Sequence, residues 1–340
     1  MPIPSRTNAP ETICSSLRPV RTTRADPCLS WHRAGFLFAF LRWGFLRPWG
    51  AETALLLSMT PLSMTPLLPL QPRVKTWDDA RLQSVYTLGK RSERDRTRTF
   101  FAEGLRFVGQ AAAQNAQIEA VLVVPKTLEH PFGLRLRRQL EQKRVPIWEV
   151  TPELFLRLSR AEEPQWIGAV VHQRWETLAD VTPSGGLCWV ALDQVHSPGN
   201  LGTILRTGDA VGAAGLILIG DAVDPYDPAC VRATMGAVFA QRLVRATLQE
   251  FAAWKRRGGC RLVGTSPHAE HDYRAATYPA GTVLFMGGEK KGLSEERQRL
   301  CDDLVRIPMV GRSDSLNLAI ATGVLLYEVF NQQRESGSFG

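Results

Sequence analysis

The sequence predicts an α/β protein in which a small α/β domain precedes a larger domain with a mostly parallel sheet. Two observations predict this class. Short apolar runs that suit buried strands recur between residues 118 and 307, and helical patterns lie between most of them. With 340 residues and 44% hydrophobic composition, the chain also has enough material for two cores.

The front domain is predicted over residues 75–173. Its first helix, residues 78–88, begins where Asp78 is placed to cap the amides of the first turn. The pattern from residue 100 onward, a helix followed by a buried strand, implies a βαβ unit. Further helices are predicted over residues 104–115, 135–142 and 152–158, and strands over residues 118–124, 145–150 and 166–171.

The second domain is predicted over residues 187–334, after a loop rich in turn formers. Its first apolar run, residues 187–195, suits a central parallel strand. The long apolar helix predicted over residues 316–330 belongs to the core rather than to a membrane, because Asn317 and Glu328 interrupt it. Further strands are predicted over residues 216–219, 243–245, 262–265, 283–286 and 305–307.

Residues 1–70 fit neither a folded domain nor a targeting signal. Three arginines and several prolines interrupt the apolar stretch of residues 31–70, so it lacks the roughly 20 uninterrupted apolar residues of a membrane helix. No continuous apolar segment marks a secretory signal in the first thirty residues. The segment is predicted to be disordered or an overextended gene start, with Met59 and Met64 as alternative starts.

The positive charge is concentrated at the front of the chain. Residues 1–99 carry 15 Lys and Arg against 7 Asp and Glu, whereas residues 100–340 carry 26 of each. Such an excess is typical of a protein that binds a polyanion such as nucleic acid, although a solvated basic linker has the same composition. The six cysteines are scattered without a CxxC pair, which predicts reduced thiols in a cytoplasmic protein and no zinc site.

Three polar segments follow predicted strands of the second domain, where open parallel sheets bind their ligands. In the first segment, Asn200 is placed to cap a helix, Gly202 permits a close backbone approach, and Arg206 lies near the second turn. An ordinary capped helix with a surface arginine explains this segment equally well. His196, just before it, is interpreted as a solvated loop residue.

The second segment, residues 287–294, places three glycines around Glu289, which allows a loop to wrap tightly around a ligand. It matches neither a phosphate-binding GxxxxGK[ST] nor a dinucleotide-binding GxGxxG pattern. An ordinary glycine turn is the alternative. In the third segment, Ser315 and Asn317 stand at the entrance of the last helix, where a serine is ordinarily a cap.

Together, the motifs LDQVHSPGNLGTILRT (residues 192–207), LFMGGEKKGLS (residues 284–294) and IPMVGRSDSLNLAIATG (residues 307–323) resemble those of the SpoU family of RNA methyltransferases. The resemblance covers residues 187–330. Residues 80–172 resemble, more weakly, the substrate-binding domain that many members carry ahead of the catalytic domain.

The resemblance implies a trefoil knot in the catalytic domain, a homodimer, and S-adenosylmethionine as the methyl donor, with no metal and no membrane association. It implies these cofactor-binding residues: Gly287, Gly288, Ile307, Met309, Leu316 and Asn317. The catalytic set that it implies is Asn200, Arg206, Glu289, Ser315 and Asn317.

The implied reaction is 2′-O-methylation of a ribose in structured RNA, with ribosomal RNA favoured over tRNA. Arg206 is the candidate for activating the ribose hydroxyl, and the other four residues would hold Arg206 and the loops in place. One alternative is a catalytically silent RNA-binding protein that retains the fold. A nucleotide-dependent oxidoreductase is a second alternative, which the missing GxGxxG pattern disfavours.

Overall fold

The structure, a computed structural model, describes residues 71–337. The predictions made for residues 1–70 lie outside the described residues. Both sheets described below belong to one compact unit. Within the described residues, no helix is long and apolar enough to cross a membrane.

The front part of the structure is built on a five-stranded mixed sheet with the order β1-β4-β3-β5-β2. Its elements, in chain order, are β1 (Gln71–Val74), α1 (Ala80–Thr87), α2 (Arg91–Thr97), β2 (Thr99–Glu103), α3 (Leu105–Ala113), β3 (Ile118–Val123), a 3₁₀ turn (Pro125–Leu128), α4 (Pro131–Gln142), β4 (Ile147–Val150), α5 (Pro152–Leu158) and β5 (Ile167–His172). Strand β5 is antiparallel to both β3 and β2 and lies between them. The implied βαβ unit is therefore split, because β2 and β3 run in the same direction but do not pair.

Two predicted helix starts in this part are wrong. Asp79, not Asp78, caps α1, since its backbone is non-helical and its carboxylate accepts the Arg81 amide at 2.9 Å. Helix α4 begins at Pro131, four residues before the predicted start. A proline at the first helical position loses no hydrogen bond there, and His130 Nδ1 accepts the Gly133 amide at 3.3 Å.

The second part is built on a seven-stranded sheet with the order β10-β12-β9-β11-β6-β7-β8, in which every pair is parallel. Its elements are β6 (Trp189–Asp193), α6 (Pro198–Val211), β7 (Gly215–Ile219), α7 (Pro228–Ala233), a 3₁₀ turn (Ala237–Phe239), β8 (Leu243–Ala246), α8 (Leu248–Arg256), β9 (Arg261–Thr265), β10 (His271–Asp272), β11 (Thr282–Met286), α9 (Glu295–Gln298), β12 (Asp303–Arg306) and α10 (Leu318–Glu335). Strands β6, β7 and β11 are buried along their whole length. The predicted mostly parallel sheet is confirmed.

The strand order of this sheet reverses beside β6. The chain proceeds from β6 to β7 and β8 on one side, then returns to β9 on the other side and pairs β11 with β6. A reversal of this kind opens a crevice at the carboxyl ends of the two strands. The segments that follow β6 and β11 are therefore neighbours, with Met286 at the end of β11 paired in register with Leu192 of β6.

A buried ion pair joins the two parts. Arg94 of α2 lies 2.7 Å from the Asp224 carboxylate through Nε, and these side chains are only 2% and 3% exposed. Its Nη1 also donates to the Leu88 carbonyl at 2.9 Å. The basic run of residues 90–98 therefore contains a structural arginine, which is not available to a polyanion.

Candidate active site

The three polar segments predicted from the sequence meet at the carboxyl ends of β6, β11 and β12. Glu289 Oε1 accepts hydrogen bonds from Asn200 Nδ2 at 2.6 Å and from the Ser197 amide at 3.2 Å. Asn200 Oδ1 in turn accepts from Asn317 Nδ2 at 3.0 Å. We call Glu289, Asn200 and Asn317 the loop network, because each residue comes from a different segment.

The loop network depends on which residues cap the helices. Ser197, not Asn200, caps α6, and its Oγ accepts the Asn200 amide at 3.3 Å. Pro198 explains this start, since its fixed φ suits the first helical position. The prediction of an Asn200 cap was wrong, and the asparagine side chain is instead free to bind Glu289.

At the start of α10, the cap is Asn317 rather than Ser315. Asn317 Oδ1 accepts the amides of Ala319 at 2.9 Å and Ile320 at 3.3 Å. Its Nδ2 is left to donate to Asn200, so one amide side chain both ends the third segment and joins it to the first.

A pocket of about 380 Å³ lies beside the loop network, at the carboxyl ends of β9, β11 and β12. Of the residues predicted to bind a cofactor, Asn317 does not line this pocket. The predicted residues that do line it are Gly287, Gly288, Ile307, Met309 and Leu316, together with the predicted catalytic residues Glu289 and Ser315. The sequence thus predicted seven of the 18 lining residues, and Thr265, Ser266 and Pro267 at the end of β9 are among those it missed.

The second segment forms a tight loop. A Cβ at Gly287 would overlap the backbone of Gly292 and Leu293, so only glycine allows the two ends of the loop to touch. The Gly292 amide donates to the Gly288 carbonyl at 2.9 Å, and Gly292 has the positive φ of 61° that favours glycine. The glycines therefore shape the loop that carries Glu289.

A second anchor of this loop escaped the sequence reasoning. Asp193 at the end of β6 lies 2.6 Å from Nε of Arg297 in α9, with the two side chains 4% and 18% exposed. A Cβ on Gly288 would lie 3.4 Å from the Asp193 carbonyl oxygen. The sequence signal for this ion pair is an acidic residue at the end of an otherwise apolar strand. A buried charge needs a partner, so such a residue predicts a nearby cation.

Arg206 lies apart from the other predicted catalytic residues. Its side chain is exposed, does not line the pocket and makes no hydrogen bond or ion pair with any residue of 71–337. Six residues after Asn200 amount to about 600° of helical rotation, which leaves Arg206 about 120° away from the Asn200 face. Arg206 therefore makes none of the hydrogen bonds by which Asn200, Glu289, Ser315 and Asn317 were expected to hold it in place. His196 is exposed, as interpreted from the sequence.

The four cysteines in the described part of the chain are free thiols, all in the second part of the structure. Burial raises the pKa of the Cys188 thiol to about 12 and also raises the pKa of Cys230. Both are kept in the protonated form at neutral pH, so they are unsuited to act as nucleophiles.

Comparison with known proteins gives the family of this fold and site. The model of the SpoU rRNA Methylase family matches residues 188–327, and that of the MRM3-like substrate binding domain matches residues 79–169. The chain is 32% identical over 263 residues to a 23S rRNA uridine 2′-O-methyltransferase from Streptomyces viridochromogenes, covering 75% of this chain and 91% of that protein. It is 27% identical to a 23S rRNA guanosine 2′-O-methyltransferase from Bacillus subtilis, covering 76% of this chain and 98% of that protein.

Solved structures agree with these relatives. An AdoMet-bound rRNA methyltransferase from Sinorhizobium meliloti superimposes with a TM-score of 0.70 at 37% identity, covering 78% of this chain and 98% of that one. A SpoU methyltransferase from Streptomyces viridochromogenes in complex with AdoMet gives a TM-score of 0.66 at 32% identity, covering 75% and 98%. The chain therefore belongs to the SpoU rRNA methylase family and has the fold of its trefoil-knotted, S-adenosylmethionine-dependent RNA 2′-O-methyltransferases.

Proposed function

We propose that this protein methylates the 2′-hydroxyl of one ribose in 23S ribosomal RNA and that S-adenosylmethionine binds in the pocket beside the loop network. The observation that carries the proposal is the network itself, in which Glu289, Asn200 and Asn317 join three segments, the second and third of which line one pocket. The substrate class is supported by the relatives named above, which act on 23S rRNA.

The residues of the pocket fit the donor. A volume of about 380 Å³ lies in the range of small-molecule sites, about 300–1,000 Å³. Buried apolar side chains of Met286, Val305 and Leu318 suit a flat purine ring. Carboxylates of Glu289 and Asp314 at the same pocket suit the ammonium group of the methionine part.

The donor supplies a methyl group that its sulfonium has already activated. The protein must then align the ribose oxygen with that methyl group and assist the loss of the hydroxyl proton. The loop network holds the three segments in one geometry, and Ser315 offers a hydroxyl at the pocket. We assign hydroxyl activation to Arg206 together with an RNA phosphate, because an arginine is normally protonated. Since Arg206 does not line the pocket of its own subunit, this role requires that the bound RNA or the homodimer proposed below brings it to the donor.

We also propose a division of labour along the chain, with RNA binding in residues 75–173 and methyl transfer in residues 187–334. Ribosomal RNA as the substrate and the free thiols of the second part favour the cytoplasm as the site of action.

A homodimer is a further part of the proposal. Several large apolar side chains are exposed in the third segment and along α10, and their burial against a second copy of the chain would remove this apolar area from water. They are Met309, Val310, Leu316, Ile320 and Tyr327. We expect light scattering to give twice the subunit mass and Ile320→Glu to give a monomer, whereas a monomeric wild-type protein would contradict this part.

The experiment that tests the function combines two measurements on the full chain. Calorimetry is expected to show one S-adenosylmethionine site per subunit, and mapping of methylated riboses is expected to show one new 2′-O-methyl group in unmodified 23S rRNA. No donor binding would contradict the assignment of the pocket. Binding of both donor and RNA without methyl transfer would favour a catalytically silent RNA-binding protein.

A further inference from the structure

An exposed surface on the front part alternates arginine and aromatic side chains. The Arg157 guanidinium of α5 lies 3.8 Å from the centre of the Trp77 ring, and the Trp77 ring meets the Tyr86 ring edge-on at 5.2 Å. The Arg160 guanidinium lies 5.8 Å from the centre of the Tyr86 ring. We call Trp77, Tyr86, Arg157 and Arg160 the aromatic–arginine surface.

The charges of this surface are not neutralised by the protein. Arg157 and Arg160 are exposed, and within residues 71–337 neither has a carboxylate within ion-pair distance. The neighbouring Arg81 shows the contrast, because it lies 5.6 Å from the Trp148 ring but is paired with Asp79 at 2.7 Å. Two unpaired guanidinium groups beside rings are therefore left to attract an anion.

Tyr86 presents a ring to solvent. Its side chain is 45% exposed, and its hydroxyl makes no hydrogen bond to any described residue. An exposed aromatic ring leaves apolar area in water at a cost in hydration free energy, which a stacked planar group would remove. The chemistry of the surface is that of a stacking platform flanked by cations.

The aromatic–arginine surface borders the second part of the structure at Arg160. Arg160 lines a small pocket together with Arg232 of α7 in the second part of the structure. Helix α7 packs closely on α6, because a Cβ at Gly202 would lie 2.5 Å from the Ala233 Cβ. Helix α6 carries Asn200 in its first turn, so α7 connects this pocket to the helix that bears the loop network.

We propose that the aromatic–arginine surface binds an unpaired stretch of the RNA substrate, with a base stacked on Tyr86 and phosphates paired with Arg157 and Arg160. Stacking requires a base face that a duplex hides, and guanidinium groups bind phosphates strongly. This inference rests on the proposed RNA substrate and adds the conformation of that RNA and the residues that hold it.

The test measures the affinity of the full chain for a fluorescent 12-nucleotide oligouridine and for a 12-base-pair RNA duplex by anisotropy. We expect the oligouridine to bind more tightly than the duplex. Tyr86→Ala should weaken oligouridine binding by about 5-fold or more, the effect of losing one base stack, whereas Tyr86→Phe should leave it unchanged.

The arginines are tested through the salt dependence. Each phosphate contact to a single strand contributes about 0.7 to the slope of log affinity against log salt, so Arg157→Gln with Arg160→Gln should lower the slope by about 1.4. Arg96→Gln is the matched control, since Arg96 is exposed on the same part but paired with Glu93 at 2.8 Å. If Arg96→Gln lowered this slope as much as the double variant, the proposal would be overturned.

Donor binding and methyl transfer keep this test separate from the proposed function. All variants should bind S-adenosylmethionine like the wild type, and the KM for 23S rRNA should rise while kcat changes little. If the wild type methylates 23S rRNA and Tyr86→Ala has the same oligouridine affinity and KM, the inference is wrong and the function stands. Tighter binding of the duplex, or crosslinking of this surface to a protein instead of RNA, would also overturn it.

Discussion

The loop network and the aromatic–arginine surface hold their side chains by different kinds of contact. The network uses directional hydrogen bonds of 2.6 and 3.0 Å between defined donors and acceptors. The surface uses ring and guanidinium contacts of 3.8 to 5.8 Å, which tolerate changes in angle. Directional contacts suit the alignment of one reaction, and tolerant contacts suit a flexible RNA chain, so substitutions in the network should change rate and those in the surface should change affinity.

The largest expected effect is that of Arg206→Ala. General acid-base assistance contributes about 10² to 10⁴ in rate, so kcat should fall by that order while the donor dissociation constant changes little. Arg206 makes no hydrogen bond or ion pair with any described residue, so the melting temperature should change little. Methyl transfer, donor calorimetry and thermal unfolding on one preparation give the three quantities.

Arg299→Ala is the control for Arg206, because Arg299 is 77% exposed and paired only with Glu295 of the same short helix. It should leave all three quantities unchanged. If Arg206→Ala also left kcat unchanged, hydroxyl activation would not depend on Arg206, and the expected separation of residues that set the rate from residues that set the affinity would lose its largest predicted effect.

A large effect on stability is expected at the ion pair that joins the two parts. Asp224→Ala leaves the Arg94 charge buried without its main partner, which costs about 3–5 kcal/mol of the free energy of unfolding. Urea unfolding followed by circular dichroism measures this loss. The double variant Arg94→Met with Asp224→Leu removes both charges and should lose much less. If the single and the double variant lost the same free energy of unfolding, packing rather than the charge pair would join the two parts.

A smaller effect separates stability from the active site through two helix caps. Ser197→Ala and Thr247→Ala each remove a cap from the start of a helix and should each cost about 1 kcal/mol. The substitution keeps the Ser197 backbone amide that donates to Glu289, but loss of the cap loosens the turn that holds this amide in place. Only Ser197→Ala should therefore weaken S-adenosylmethionine binding. Thermal unfolding and calorimetry of both variants test this, and equal donor affinities would separate the cap from the loop network.

The smallest effect near neutral pH is expected from the buried thiol of Cys188. Folding raises the pKa of this thiol from 9.0 to about 12, so the protonated form is favoured in the folded state. Its contribution to stability is fully present below pH 9 and is lost as the pH rises toward 12. We expect slow alkylation of Cys188 at pH 8 by mass spectrometry, and rapid alkylation would show that the parallel sheet opens more readily than its burial implies.

Local sequence pattern determined the elements well. Helix α5 has the predicted bounds, because Pro152 suits the first helical position and Thr151 Oγ1 caps the Leu154 amide at 3.3 Å. Strand β3 ends within one residue of its prediction, since a continuous buried run identifies it. The three glycines around Glu289 likewise predicted a tight loop from the sequence alone.

Contacts between distant residues were decided only by the tertiary structure. The insertion of β5 between β2 and β3, and the burial of Arg94 against Asp224, depend on how separate segments pair. Motif order indicated the members of the loop network, yet Asn200 meets Asn317 across 117 residues only because the strands that precede the two segments belong to one parallel sheet. The periodicity of apolar residues depends on the surroundings of a single segment. The pairing of strands decides which segments become neighbours, and this pairing depends on the free energy of the whole core.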